Sequence, residues 1–247
     1  MNFEIFVKVK AHGSKLNNSK TKIMNKTIVV TGGTKGIGRA IVNKFAQEGF
    51  TVITSARTND DSLPKNVHFF KADLSKKQEI LAFADFVKRT TDRVDILVNN
   101  TGFFLPGQIN NEPDGTLEAM IETNLYSAYH LTRGLVGDMM ARQEGHIFNI
   151  CSTASITAYT NGGSYCISKF AMLGMSKVLR EELKPHHVRV TSIMPGATLT
   201  DSWAGVEIPA ERFMASEDVA QVIWTAYNLP NTTVLEEIIL RPQLGDL

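Results

Sequence analysis

Residues 28–48 read IVVTGGTKGIGRAIVNKFAQE, and this stretch decides the fold. The apolar, β-branched run at 28–30 predicts a short buried strand. Apolar side chains then recur at helical spacing from Arg39 to Glu48, which predicts a helix. A glycine-rich turn joins the two. The stretch therefore predicts a strand, a tight turn and a helix in succession, which is typical of the first unit of a parallel α/β sheet.

The glycine turn has the chemistry of a phosphate site. From Thr31 to Gly38 its glycines follow the spacing G-x-x-x-G-x-G, which differs from the G-x-G-x-x-G of the general dinucleotide fingerprint. Glycines let the backbone approach a pyrophosphate, and the helix that follows offers free N–H groups and the positive end of its dipole. An ordinary glycine-rich turn is the alternative, and the flanking strand and helix disfavour it.

A cation follows the second predicted strand, at 51–54. Arg57 comes 19 residues after Gly38, about where an acidic residue would bind the ribose hydroxyls of NAD or an arginine the 2′-phosphate of NADP. Lys35 in the glycine turn can add a second positive charge, and a guanidinium matches a phosphate with two hydrogen bonds. The two residues therefore favour NADP(H), and two solvated surface cations are the alternative.

A second set of polar residues lies further along the chain. Tyr165 and Lys169 are spaced i, i+4, so on a helix they share one face, and Ser152 precedes the tyrosine by 13 positions. A phenol ionises only at a pKa of about 10, and a neighbouring ammonium favours its ionised form. Such a pair can pass a proton to or from an oxygen atom that the serine holds. Because a tyrosine and a lysine at this spacing also arise by chance, the rest of the chain decides what they mean.

These pieces belong to a longer pattern that spans residues 31 to 200. In order and spacing the pattern resembles the short-chain dehydrogenase/reductase family. The resemblance implies an NAD(P)-dependent oxidoreductase on an α/β fold, a Rossmann-type doubly wound parallel sheet of about seven strands with helices on both faces. The matching pieces are T-G-G-T-K-G-I-G at 31–38, A-D-L at 72–74, N-N-T-G at 99–102, Asn124, Ser152, Y-C-I-S-K at 165–169 and P-G-A-T-L-T at 195–200.

The resemblance assigns catalytic roles to four residues. It makes Tyr165 the general acid/base, and it makes Lys169 the cation that favours the phenolate and hydrogen-bonds the nicotinamide ribose. Ser152 would position the substrate carbonyl, and Asn124 would support Lys169, usually through a water. The residues predicted to contact the cofactor are Gly32, Thr34, Lys35, Gly36, Ile37, Gly38, Arg57, Asp73, Leu74, Asn100, Gly102, Tyr165, Lys169, Pro195, Gly196, Thr198 and Thr200.

Three departures from the family pattern refine the expectation. Thr101 adds a hydroxyl where alanine is usual, and Thr198 stands where valine or isoleucine is common. The stretch from Pro195 to Glu217, which would form the substrate lid, is short compared with that of the 3-oxoacyl-carrier-protein reductases. The chain looks more like the NADP-dependent reductases that act on small polar or mixed carbonyls, with serine dehydrogenases and sepiapterin-type reductases as relatives.

Composition bounds the remaining possibilities. Residues 24–247 are expected to form one domain, with strands predicted at 28–31, 51–54, 67–70, 95–99, 146–151, 188–194 and 236–240. Residues 1–23 carry five Lys against one Glu and are expected to form a weakly ordered extension. The other 224 residues hold 21 Lys and Arg against 24 Asp and Glu, a net charge of −3, which gives no support for nucleic-acid binding. No apolar run reaches the roughly 18 residues of a membrane span.

Other side chains leave alternatives open. Cys151 and Cys166 fit no metal spacing, and we expect reduced core thiols in a cytoplasmic protein and no catalytic metal. Phe103, Phe104 and Trp203 could wall a substrate pocket, or they could be core or oligomer contacts.

The sequence therefore predicts an NADP(H)-dependent oxidoreductase that interconverts a small-molecule carbonyl and a secondary alcohol. A homotetramer or homodimer is expected, with neither a nucleic-acid nor a membrane partner. The alternatives are a 3-oxoacyl-carrier-protein reductase, disfavoured by the short lid, and a catalytically silent dinucleotide sensor, disfavoured by the four catalytic residue types. A purely structural, oligomerising module would need neither those residues nor the phosphate loop.

Overall fold

The computed structural model describes residues 26–203, Gly205 and 207–247, so the extension predicted over residues 1–23 lies outside the described residues. Seven parallel strands form one sheet in the order β3-β2-β1-β4-β5-β6-β7. Each of them overlaps one of the seven predicted strands. The strands are β1 Thr27–Thr31, β2 Thr51–Ala56, β3 Val67–Lys71, β4 Ile96–Asn99, β5 Gly145–Ile150, β6 Val188–Pro195 and β7 Glu237–Leu240.

Helices connect the strands and cover both faces of the sheet. Short 3₁₀ turns lie at Thr153–Ser155, Lys184–His186, Asp201–Trp203 and Ala210–Arg212, and a π-helical turn lies at Glu122–Tyr126. The helices are α1 Gly36–Gln47, α2 Lys77–Thr90, α3 Thr116–Ile121, α4 Ser127–Arg142, α5 Gly163–Leu183 and α6 Ser216–Tyr227.

The core consists of two apolar layers, one on each face of the sheet. Strand β1 shows the alternation that produces them, because successive side chains of a strand point to opposite faces. Ile28 and Val30 are fully buried with the apolar sides of α1 and α6. Val29 is fully buried with those of α2 and α4. The predicted doubly wound, Rossmann-type α/β fold is therefore confirmed.

The strand order places the predicted site residues at one edge of the sheet. The order reverses between β1 and β4, which are hydrogen-bonded neighbours although β2 and β3 lie between them in the chain. In open α/β sheets, ligands bind at such a switch point, outside the carboxyl ends of the strands. Those ends carry the glycine turn after β1, Arg57 after β2, Asn100 after β4 and Ser152 after β5.

Helix α1 begins earlier than the sequence predicts. It starts at Gly36 rather than Arg39, and Lys35, with an extended backbone, is the residue before it. The apolar periodicity begins only after Gly38, which is why the pattern placed the start too late. The last two motif glycines therefore lie in the first helical turn, where backbone N–H groups lack partners within the helix.

Candidate active site at the carboxyl ends of the strands

The glycine turn after β1 is shaped by close backbone contacts. Gly32 and Gly36 have φ angles of +69° and +52°, in a backbone region that residues other than glycine rarely adopt. A Cβ on Gly38 would collide with the carbonyl oxygen of Gly32, and one on Gly33 would collide with Thr54. No side chain caps the N-terminus of α1, where Lys35 is the N-cap residue. The backbone N–H groups at the start of α1 are therefore not capped by a side chain. Such groups at a helix N-terminus can bind a pyrophosphate.

The loop after β4 holds the glycine turn in place. The Thr31 hydroxyl accepts hydrogen bonds from the backbone N–H groups of Asn100 and Thr101, both at 2.9 Å. The Asn100 side chain donates to the Thr31 carbonyl at 2.8 Å. A Cβ on Gly32 would lie 3.2 Å from the Thr101 hydroxyl. The threonine that departs from the family pattern therefore packs against the glycine turn.

Three predicted residues lie at the end of the site where the adenosine is expected. Arg57 is exposed just after β2, whereas Leu74 is buried. The Asp73 carboxylate accepts hydrogen bonds from the backbone N–H and the hydroxyl of Ser75, at 3.1 and 2.9 Å. Burial alone would raise the pKa of Asp73. The two hydrogen bonds and the charges of Lys76 and Arg57 have the opposite effect and together are larger, so the pKa of Asp73 lies below its usual value. Arg57 is therefore close enough to act on the Asp73 charge.

Lys35 contacts a residue that the sequence did not connect with it. Its ammonium lies 2.9 Å from the Asp201 carboxylate, and about two thirds of each side chain is exposed, 67% and 69%. Asp201 begins the 3₁₀ turn Asp201–Trp203, within the predicted lid. Exposed pairs of this kind contribute at most about 1 kcal/mol, so a bound phosphate could recruit Lys35 at little cost.

Helix α5 carries Tyr165 in its first turn and Lys169 one turn later. Lys169 is only 5% exposed, and its ammonium donates a hydrogen bond of 2.9 Å to the Ile150 carbonyl at the end of β5. The same ammonium lies 5.8 Å from the centre of the Tyr165 ring. A Cβ on Gly102 would lie 3.6 Å from this ammonium. The structure therefore brings Tyr165, Lys169 and the loop after β4 together.

Asn124 contacts the neighbours of Lys169 and occupies the π-helical turn between α3 and α4. Its side-chain oxygen accepts a hydrogen bond from the Phe103 N–H at 2.9 Å. Its amide nitrogen donates to the Phe103 carbonyl and to the Ser168 hydroxyl, both at 3.0 Å. The Asn124 side chain therefore joins the loop after β4 to the residue next to Lys169. π-helical turns occur frequently at functional sites.

Ser152 is held by its own turn at the end of β5. Its hydroxyl accepts a hydrogen bond from the Ala154 N–H at 3.1 Å, and its backbone N–H donates to the Ser155 hydroxyl at 3.2 Å. The residue is half-buried. Because the serine hydroxyl is engaged here as an acceptor, its proton remains available to a substrate oxygen.

The end of β6 forms the base of the predicted lid. The Gly196 N–H donates to the Leu240 carbonyl at 2.8 Å, directly after Pro195, and the Thr198 hydroxyl donates to the Gly196 carbonyl at 3.1 Å. A Cβ on Gly36 would lie 3.1 Å from the Thr200 methyl group. The base of the lid therefore packs against the glycine turn, where Thr34 and Ile37 are half-buried.

Aromatic side chains lie beside Tyr165 and in the lid. Phe104 packs edge-to-face against the Tyr165 ring with centroids 4.9 Å apart, and Trp203 packs against Phe213 at 5.1 Å. Desolvation raises the pKa of Tyr159, and Tyr165 and Cys166 raise it further. Phe104 therefore lies directly beside the predicted acid/base.

The structure also describes the two cysteines and a cavity. The cysteines are free and buried, and desolvation raises the pKa of Cys151. A cavity of about 300 Å³ lies at the opposite, amino-terminal edge of the sheet, lined by Lys26, Asp95, Arg189 and Tyr227 among others.

Over the described residues, no group of three or more His, Cys, Asp or Glu could hold a metal ion. Nor is any described helix long and apolar enough to cross a membrane.

Known proteins resemble this chain over most of its length. Sepiapterin reductase of Chlorobaculum tepidum is 31% identical over 241 residues, which cover 91% of this chain and 99% of the relative. A 3-oxoacyl-[acyl-carrier-protein] reductase of Thermotoga maritima is 30% identical over 221 residues, covering 82% of this chain and 90% of the relative. The solved structure of the closed form of serine dehydrogenase complexed with NADP+ is similar to this chain with a TM-score of 0.82 and 29% sequence identity. The match covers 90% of this chain and 96% of the serine dehydrogenase chain.

A sequence model described as short chain dehydrogenase matches residues 26–209, well over half of the chain. The matched range contains the glycine turn, the loop after β4, Ser152 and the helix with Tyr165 and Lys169. The chain therefore belongs to the short-chain dehydrogenase/reductase family.

Proposed function

We propose that this oxidoreductase interconverts a small-molecule carbonyl and a secondary alcohol with NADP(H), using Tyr165 as the general acid/base. The arrangement of Tyr165 and Lys169 on one face of α5 carries the proposal, since the ammonium lies 5.8 Å from the phenol ring. The four proposed catalytic residues are Asn124, Ser152, Tyr165 and Lys169. Asn124 bonds to Phe103 in the loop after β4 and to Ser168 on α5, and the hydrogen bonds of Ser152 and Lys169 lie at the end of β5.

The residues around the glycine turn fit NADP(H). Gly32 and Gly36 have positive φ angles, and Gly38 packs directly against the Gly32 carbonyl. Glycines at such positions let the backbone approach a pyrophosphate beside the N-terminus of α1. Arg57 would meet the 2′-phosphate, and Asp73 and Leu74 would meet the adenine. When bound, the nicotinamide supplies or accepts the hydride. The NADP+ complex of the serine dehydrogenase relative supports this assignment.

The chain's own residues handle the proton. In the direction of reduction, the Tyr165 hydroxyl gives its proton to the developing alkoxide oxygen of the substrate. The buried Lys169 ammonium stabilises the phenolate that remains. Ser152 donates a hydrogen bond to the same substrate oxygen and so fixes the carbonyl. In the direction of oxidation, the Tyr165 phenolate takes the proton from the alcohol.

A panel of carbonyl substrates, followed by NADPH absorbance, tests the activity. The short lid and the sepiapterin reductase and serine dehydrogenase relatives support small polar or mixed carbonyls as the substrate class, so we expect these to be reduced fastest. The panel includes an acetoacetyl thioester, because the Thermotoga relative supports 3-oxoacyl reduction as the second candidate. Faster turnover of that thioester would favour the second candidate. Tight NADPH binding with no turnover of any member would favour a dinucleotide sensor.

We expect a closed homo-oligomer, most often a tetramer in this family and otherwise a dimer. Apolar side chains are exposed at Tyr129 on α4 and at Ile167, Phe170 and Val178 on α5, between 40% and 56%. Exposed apolar side chains on two helices are typical of protein interfaces, and closed symmetry is the usual outcome. Sedimentation at micromolar concentration should show the oligomer, and Phe170→Glu should shift it towards smaller species. The control is Leu81→Glu, at an exposed position on α2; a monomeric parent protein would contradict the expectation.

Residues 24–247 are proposed to form a single Rossmann-fold oxidoreductase domain. The first described strand, β1, begins at Thr27, and the predicted catalytic and cofactor residues lie between 32 and 200. Deleting residues 2–23 should therefore leave the thermal midpoint nearly unchanged and kcat/KM within about twofold of the value for the full chain. Changes away from the core and the site are usually nearly neutral. An insoluble or inactive truncated protein would show that the segment is structural.

We also propose a cytoplasmic location, which two free cysteines support.

A further inference from the structure

The helix that carries Tyr165 begins without a cap of its own. Helix α5 starts at Gly163, and the residue before it, Gly162, has no side chain to accept a hydrogen bond. Tyr165 is the third residue of this helix. The first N–H groups of a helix lack partners within it, and helix ends fray when these groups stay unsatisfied. The predicted acid/base therefore lies in a turn that needs support from elsewhere in the chain.

Glu112 provides that support from a distant loop. One of its carboxylate oxygens accepts a hydrogen bond from the Ser164 backbone N–H at 2.9 Å, and the other accepts one from the Ser164 hydroxyl. Ser164 is only 2% exposed and immediately precedes Tyr165. A carboxylate at a helix N-terminus also interacts favourably with the helix dipole. Glu112 thus serves as a cap for α5, although 52 residues separate it from Ser164.

Two glycines make room for this contact. A Cβ on Gly163 would collide with a carboxylate oxygen of Glu112 and would lie 2.7 Å from the Gly107 carbonyl. A Cβ on Gly107 would lie 2.5 Å from the Cγ of Glu112. Neither glycine has a positive φ, so it is the close approach, rather than the backbone conformation, that requires glycine here. The local structure is therefore built around the Glu112 side chain.

Further hydrogen bonds fix the loop that carries Glu112. The Glu112 N–H donates to the Gln108 carbonyl at 2.8 Å, and the Gly107 N–H donates to the Asn161 carbonyl at 3.0 Å. The Gln108 amide donates to the Asn161 side chain at 3.1 Å. Asn161 lies just before α5. The loop after β4, which also carries Phe104, is thereby joined to the start of the catalytic helix.

We propose that Glu112 is a positioning residue for Tyr165. By holding the first turn of α5 against the loop after β4, it sets the position of the phenol relative to Lys169 and the substrate carbonyl. This inference rests on the proposed function, in which Tyr165 transfers the proton. Glu112 itself touches neither the tyrosine hydroxyl nor the expected position of the reacting atoms; it acts through Ser164.

Two substitutions at Glu112 separate this role from a purely structural one. Glu112→Gln keeps an acceptor for the Ser164 N–H and a polar partner for its hydroxyl, so kcat should stay within about threefold of the parent value. Glu112→Ala leaves both groups without a partner and should lower kcat by about tenfold or more, because a small misplacement of a reacting group is costly. The affinity for NADPH, measured by fluorescence, should change less than about twofold, since most of its predicted contacts lie on other elements. Glu118→Ala, at an exposed glutamate on α3, is the matched control.

Hydrogen exchange gives a second readout that needs no substrate. The backbone amides of residues 163–169 should exchange faster in Glu112→Ala than in Glu112→Gln, because only the alanine variant lacks the cap. Parent-like kcat in Glu112→Ala would overturn the proposal, and so would equal losses of kcat in the two variants. If the parent protein reduces no carbonyl, the proposed function fails. Hydrogen exchange alone then tests the role of Glu112, and equal exchange rates in the two variants would overturn that role.

Discussion

Replacing Tyr165 by phenylalanine should lower kcat by roughly 10²- to 10⁴-fold, the range that a positioned general acid or base contributes. The substitution removes only the hydroxyl group. The edge-to-face contact of the ring with Phe104 is retained, and so is the Lys169 hydrogen bond to the Ile150 carbonyl. We therefore expect the variant to fold, to bind NADPH with parent-like affinity, and to fail only in proton transfer.

Tyr159→Phe is the matched control for this experiment, because it deletes the same group six residues away. Desolvation and two neighbouring groups raise the pKa of Tyr159, so this phenol is unsuited to exchanging a proton near neutral pH. Its loss should change kcat by no more than a few-fold, because the variant keeps the Tyr165 hydroxyl that is proposed to transfer the proton. Single-turnover rates and NADPH titrations of both variants make the comparison. A Tyr165→Phe variant within a few-fold of the parent protein would contradict the assignment.

The fold could be predicted from the sequence because its signals are local. Each buried strand, such as the run at 28–30, is a short apolar segment bounded by a turn. Its position in the sheet follows from the alternation of strands and helices. The apolar pattern predicts the start of α1 three residues too late, because the first helical turn contains two glycines and no apolar periodicity. A helix start that consists of glycines and N–H groups without a side-chain cap leaves no hydrophobic pattern to detect.

The contacts that complete the candidate site could not be predicted in the same way. Glu112 lies 52 residues from Ser164, and Lys35 lies 166 residues from Asp201. Nothing in the local pattern around a glutamate or a lysine indicates a partner so far along the chain. Such pairs follow only from the strand order, which brings the loops after β1, β4, β5 and β6 to one edge of the sheet.

Arg57 is expected to make the protein prefer NADP(H) over NAD(H), and Arg57→Asp is expected to reverse that preference. The 2′-phosphate is the only difference between the two cofactors, so discrimination must come from groups near the adenosine ribose. Arg57 is exposed at the end of β2, and its charge already acts on Asp73 at the same end of the site. One charge-assisted hydrogen bond contributes about 1.5–3 kcal/mol, which corresponds to roughly a tenfold to hundredfold preference. The aspartate would repel the phosphate and accept hydrogen bonds from the free ribose hydroxyls of NAD(H).

The ratio of kcat/KM for NADPH to that for NADH, in the parent protein and in three variants, tests this prediction. Arg57→Asp should bring the ratio below one. Lys35→Ala should lower it by a smaller factor, because Lys35 must first leave its exposed pair with Asp201, a contact of at most about 1 kcal/mol. Arg89→Asp makes the same charge change at an exposed position on α2 and should leave the ratio as it is in the parent protein. A parent protein that uses NADH as well as NADPH would show that Arg57 and Lys35 are only surface charges. A loss of activity with both cofactors in Arg57→Asp would instead assign Arg57 to the stability of the loop after β2.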